Sequence, residues 1–89
     1  MTIKRGAQIA YIPMHANGDI DHPDVEFGFV TSVRRDTAFC RYWRKGCIGE
    51  LRTVAGSECT YLVDIVRHVS ISQQRVDATL ERIEAPNAN

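Results

Sequence analysis

Long apolar runs are missing from this chain of 89 residues. Nothing in it approaches the ~18–20 apolar residues that carry a helix across a bilayer, so no membrane role is expected. The opening, MTIKRGAQIAYIP, has a basic pair but no extended apolar stretch and no small-residue cleavage site, which argues against a secretory leader. Cysteine is scarce: Cys40, Cys47 and Cys59 are odd in number and form no C-x-x-C pair. Neither a disulfide framework nor a zinc ribbon is indicated, and reduced thiols in a cytoplasmic setting are the expectation. An excess of either charge is also lacking, because 11 basic residues face 11 acidic ones. That balance argues against non-specific binding of duplex DNA, which needs several uncompensated phosphate contacts. Catalytic signatures are absent as well: there is no G-x-S-x-G, no Cys–His signature, no EF-hand loop and no helical H-x-x-x-H.

What is present reads as one small domain, mainly β. A domain of this size buries only about 60–65% of its unfolded surface, so its core is thin and a homo-oligomer is an expected way to add burial. The stretch Glu26–Trp43 is central, two strands joined by a tight turn. Ahead of it, Gln8–Ile12 is a first strand, ended by Pro13, which cannot donate to a ladder. Met14–Val25 is a loop carrying the turn signals Asn17-Gly18 and His22-Pro23; at about 12 residues it is long for a structureless connection. Glu26–Arg34 is the second strand, with Gly28 marking a bulge or sharp bend. Arg34-Arg35-Asp36-Thr37 turns the chain into a third strand, Ala38–Trp43. Its period of two puts Ala38, Cys40 and Tyr42 on one side and Phe39, Arg41 and Trp43 on the other; the second set is expected to face outward. Arg44–Glu50 reads as a loop with two glycines, Leu51–Val54 as a fourth strand and Ala55–Thr60 as a turn. Tyr61–Val69 mixes a short helical turn with a last strand, Ile65–Val69.

Residues 70–84 form the clearest helix. Ser70 and Gln73 have capping-box spacing, and Val76, Leu80 and Ile83 make one apolar stripe. That stripe has two uses: packing back on the sheet or pairing with a second copy. The organisation expected is a small SH3-like five-stranded barrel over residues 1–69, an amphipathic helix over 70–84 and a disordered tail over 85–89.

Three groups of residues are candidates for chemistry. The acidic and histidine-bearing loop offers His15, Asp19, Asp21, His22, Asp24 and Glu26. Imidazoles and carboxylates bind transition metals, but the spacing fits no standard site, so neither a metal nor a cofactor is expected; the alternative is a loop ordered by its own Asx-turns that contacts a partner. The second group is Phe39, Arg41, Trp43 and Arg52, with Arg34, Arg44 and Lys45 at its margins. Flat rings stack on bases and guanidinium groups grip phosphate or carboxylate, while exposed Trp and Arg also dominate protein interfaces. Three outcomes compete for this face: cover by the terminal helix, a protein partner or second subunit, or a nucleotide or nucleic acid. The third group pairs Cys59 with His68, or Ser57 with Glu58 and a histidine, as nucleophile and base. Nothing in the spacing fixes their geometry, and an enzyme is not expected.

The strings GAQIAYIPMHANGDIDHPDVEFGFVTSV, AFCRYW and ELRTVAGSE, with the terminal S-x-x-Q-x-x-V segment, resemble small phage- and prophage-encoded proteins with an SH3-like barrel. The similarity rests on Tyr11, Pro13, His15, Ala16, Gly18, Asp19, His22, Asp24, Glu26, Gly28, Val30 and Ser32 and reaches about residue 66. Position 25, often Cys in such proteins, is Val25 here. The resemblance implies a non-catalytic accessory protein acting stoichiometrically in the host cytoplasm on a host target such as an anti-phage defence component. The alternative it leaves open is a nucleotide- or nucleic-acid-binding module that sequesters a cyclic nucleotide signal. The binding residues expected under either are Phe39, Arg41, Trp43, Arg52, His15, Asp19, His22, Glu26, Ser57 and Glu58.

Overall fold

The structure, a computed structural model, describes residues 3–52 and 57–84. The expected strand end at Val54, the start of the turn at Ala55 and the tail at 85–89 lie outside the described residues. The chain forms six antiparallel strands: β1 (Gln8–Tyr11), β2 (Glu26–Arg34), β3 (Thr37–Arg44), β4 (Cys47–Leu51), β5 (Glu58–Tyr61) and β6 (Ile65–Arg67). One helix follows, α1 (Gln73–Glu84), and 3-10 turns lie at Met14–Ala16 and Leu62–Asp64. No helix among the described residues is long and apolar enough to cross a membrane.

Strand order is β4-β3-β2-β1-β6, with β5 also paired to β3. β4 takes the C-terminal part of β3 and β5 the N-terminal part. Among the described residues no ladder joins β6 back to β4 or β5, so the sheet stays open. The expected mainly β chain with a C-terminal helix is present, with six strands rather than five and an unclosed sheet. The expected fourth strand from Leu51 is displaced: the strand is Cys47–Leu51, which reads as loop because of its glycines. It ends where Leu51–Val54 was expected to begin, with Arg52 already outside it. The further strand is Glu58–Tyr61, most of which reads as turn. Gly46 supplies only the hairpin bend, at φ 79°, a conformation that glycine adopts without steric cost. The strand then resumes at once.

β2 and β3 are buried on both faces only around Gly28–Val30 and Tyr42–Trp43, where period-two alternation sorts their side chains into two cores. On one face Val30, Ala38, Cys40 and Tyr42 pack with Ile9 and Ile65. On the other, Phe29 and Trp43 pack with Val76 and Leu80 of α1. Gly28 lies opposite Tyr42, where β3 passes so close that an added Cβ would stand 2.1 Å from the Arg41 carbonyl oxygen. The glycine thus marks a close backbone approach, and the bulge lies further on, between Val30 and Ser32.

The helix is tied down by polar groups that the apolar stripe does not reveal. Buried Gln8 accepts from the Ser70 and Ile71 amides at 3.0 and 3.1 Å and donates to the Ile71 carbonyl at 2.8 Å. Gln73 donates to the Gly6 carbonyl at 2.7 Å, and Arg5 pairs with Glu84 near the other end of the helix. The N-terminal cap is Ser72, whose hydroxyl accepts from the Arg75 amide at 3.3 Å. This corrects the expected Ser70–Gln73 box: helical geometry begins two residues later, and Gln73 is engaged with Gly6 and Asp77.

Candidate functional site

The first connection, residues 12–25, is not a structureless loop. A 3-10 turn at Met14–Ala16 ends on Asn17 at φ 52°. A chain of turn hydrogen bonds follows, from Asp19 to Ala16, His22 to Asp19 and Val25 to His22, at 3.0–3.1 Å. Asp19 Oδ1 accepts from the Asp21 amide at 2.9 Å, an Asx-turn. Ala16 and Val25 are buried and hold the loop to the body.

Between this connection and the β3–β4 hairpin lies a cleft of about 920 Å³. That size is of the order seen for small-ligand sites. Ile20, Phe27 and Ile48 supply apolar lining, Arg44 and Lys45 flank it at the hairpin tip, and His15, His22 and Asp24 flank it at the loop. Glu26, Trp43 and Arg52 also line it.

His15 Nε2 stands 2.6 Å from Asp24 Oδ2. His22 Nδ1 accepts from the Asp24 amide at 3.0 Å, and the two imidazole rings meet edge to face at 5.2 Å. The hydrogen bond from His15 holds the Asp24 carboxyl below its ordinary range, with His22 and Lys45 adding smaller electrostatic effects. One ligand atom from each of His15, His22 and Asp24 falls within 4.8 Å of the others.

Arg52 is a hub. It bonds both Glu26 at the start of β2 and Glu58 at the start of β5, and its guanidinium carbon lies 5.4 Å from the centroid of the Tyr42 ring. Arg44 pairs with Glu50 at 2.9 Å.

The expected docking face is divided by this arrangement. Trp43 does lie opposite Tyr42 on β3, but it is only 4% exposed: α1 covers it. Its role as an open stacking ring is corrected, because the indole packs 5.1 Å from Phe29 and completes the core beneath the helix. Its Nε1–H has no acceptor among the described residues. Arg52, expected beside Trp43, instead stacks with Tyr42, the residue on the opposite face of β3. Phe39 and Arg41 are half-buried, and Phe39 belongs to a separate shallow groove with Arg34, Arg35 and Cys59. Ser57 is exposed and shares a 2.6 Å hydrogen bond with Thr31. Asp19 is exposed, and its carboxylate accepts from the Asp21 amide of its own loop. Of the ten expected binding residues the cleft brings together His15, His22, Glu26, Trp43 and Arg52. It also uses Ile20 and Ile48, which sequence reasoning passed over; Ile20 is the one aliphatic residue in the polar run NGDIDHPD, and that was the available signal. The proposed catalytic pairs are engaged otherwise: His68 packs on Phe27 at 5.0 Å, and Ser57 is bonded to a threonine rather than a base.

No protein-family model, no curated protein and no solved structure matches this chain.

Proposed function

We propose that the chain is a non-catalytic binding module whose cleft, between residues 13–26 and 43–52, takes an apolar side chain from a protein target. The observation that carries this is the cleft's chemistry. Ile20, Phe27 and Ile48 offer it apolar contact, Arg44 and Arg52 are paired internally, and its loop wall is braced by its own turns, so little ordering is needed on binding. The resemblance to phage-encoded proteins supplies the setting: one copy occupying one host protein, a defence component being the expected class. The long first connection, and the last strand returning to pair with β1, support an SH3-like arrangement of the strands.

The nucleotide alternative loses support on two counts. Stacking needs an open ring, and the indole lies under α1. Phosphate needs uncommitted guanidinium groups, and Arg52 and Arg44 are bonded to Glu26, Glu58 and Glu50.

A photo-crosslinking residue at position 48, in the cleft, is compared with one at position 81, on the exposed face of α1. In host lysate the first should give one discrete adduct, lost when Ile20→Asp is added; the second should not. Equal labelling at both positions would overturn the reading. A saturable thermal shift with cyclic oligonucleotides, abolished by Arg52→Ala, would favour the nucleotide alternative instead.

A further inference from the structure

We propose that His15, His22 and Asp24 form a binding site for a transition-metal dication of the zinc class, built by the fold from residues whose sequence spacing matches no standard motif. Two imidazoles and a carboxylate are a donor set for zinc and its first-row neighbours, with further positions left for water or a partner's ligand. Hard cations such as magnesium and calcium prefer all-oxygen sites and are not expected here.

The three ligand atoms already lie within 4.8 Å of one another. Zinc bonds of about 2.0–2.2 Å put tetrahedral ligands roughly 3.4 Å apart. The widest gap therefore closes by on the order of 1 Å, while the 2.6 Å His15–Asp24 contact opens slightly. Both changes fall on side chains, and those of His15 and Asp24 are more than half exposed. The loop backbone is held by its turn hydrogen bonds and by buried Ala16 and Val25.

The hydrogen-bond pattern states what the metal replaces. His15 Nε2 donates its proton to Asp24; the metal takes that nitrogen's lone pair, and the proton moves to Nδ1 or, from an imidazolium, to solvent. His22 Nδ1 accepts from the Asp24 amide, so neutral His22 carries its proton on Nε2. Coordination through Nε2 moves that proton to Nδ1, and coordination through Nδ1 occupies its lone pair. Either way the Asp24 amide loses its acceptor. Lys45, whose charge acts on Asp24, opposes a cation at this place. The site stands independently of the partner assigned to the cleft.

Zinc chloride is titrated into the full chain by calorimetry, with magnesium and calcium as controls. One equivalent of zinc should bind saturably. His15→Ala, His22→Ala and Asp24→Asn should each weaken it at least tenfold, and Lys45→Gln should tighten it. Far-UV circular dichroism shows whether the variants keep their fold. In nitrogen–proton spectra the Asp24 amide should move on zinc addition, a readout that thiol binding elsewhere would not produce. Affinity unchanged in all three ligand variants overturns the proposal. So does affinity lost in Cys47→Ser or Cys59→Ser, which would assign the zinc to the half-buried Cys47 or exposed Cys59 thiol.

Discussion

At the scale of single residues, the alternation of β3 has a chemical consequence for its cysteine. Cys40 is fully buried between the strands, and desolvation pushes its thiol up to about 11 from an ordinary 9.0. The folded thiol keeps its proton at pH values where the unfolded thiol has lost it. Stability is fully present below about pH 9 and falls as pH rises toward 11, by at most about 1.4 kcal/mol per pH unit for one proton. Urea midpoints measured from pH 7 to 10.5 should decline above pH 9. In Cys40→Ala they should start lower, because a small cavity is left, and stay flatter between pH 9 and 10. Above that range Tyr42, whose hydroxyl is also raised by burial, acts in the same direction in both proteins. Thiol labelling at pH 8 reads the same burial: Cys59 is exposed, Cys47 half-buried and Cys40 buried, so in a Cys47→Ser/Cys59→Ser background slow labelling of Cys40 should track global unfolding.

At the scale of elements, the start of α1 gives a clean comparison between two serines. Ser72 supplies the cap to the Arg75 amide, whereas it is the backbone amide of Ser70 that is used, by Gln8. Ser72→Ala should cost about 1 kcal/mol and Ser70→Ala close to nothing, measured by chemical denaturation. The same contrast explains what could be read from the sequence. β2 was legible to the residue, because EFGFVTSVR is rich in aromatic and β-branched residues and is bounded by turn residues on both sides. The helix and its stripe were legible because Val76 and Leu80 sit at helical spacing. The strand at Cys47–Leu51 was not, since CIGEL has two glycines beside it or within it, and a short edge strand is set by its partner rather than by its own composition. The cover over Trp43 was not decidable either. Alternation says which side of β3 a residue takes, but not whether a helix 30 residues later lands on that side. Gln8 was missed for the same reason: a polar residue in a strand reads as solvent-facing unless the segment it binds is known. The cleft was half legible, since its histidines stand out in the loop while Ile48 belongs to the strand that was read as loop.

At the scale of the whole molecule, the two cores are not two units. Phe29 and Val30 are neighbours in β2, as Tyr42 and Trp43 are in β3, yet each pair divides between the helix-side and the opposite core. Undocking α1 would expose Phe29 and Trp43 in a domain whose core is already thin. One cooperative transition should therefore remove both cores. The chain has a single tryptophan, and it lies under the helix, so its fluorescence reports docking directly. Fluorescence and far-UV circular dichroism should follow the same urea curve. Gln8→Met, which keeps side-chain bulk but removes the hydrogen bonds to Ser70 and Ile71, should lower stability by roughly 2–3 kcal/mol while leaving the two curves superimposed. A fluorescence change that precedes the loss of sheet signal would mean that the helix docks as a separate step. The polar tether from β1 would then hold a detachable lid rather than complete a single core.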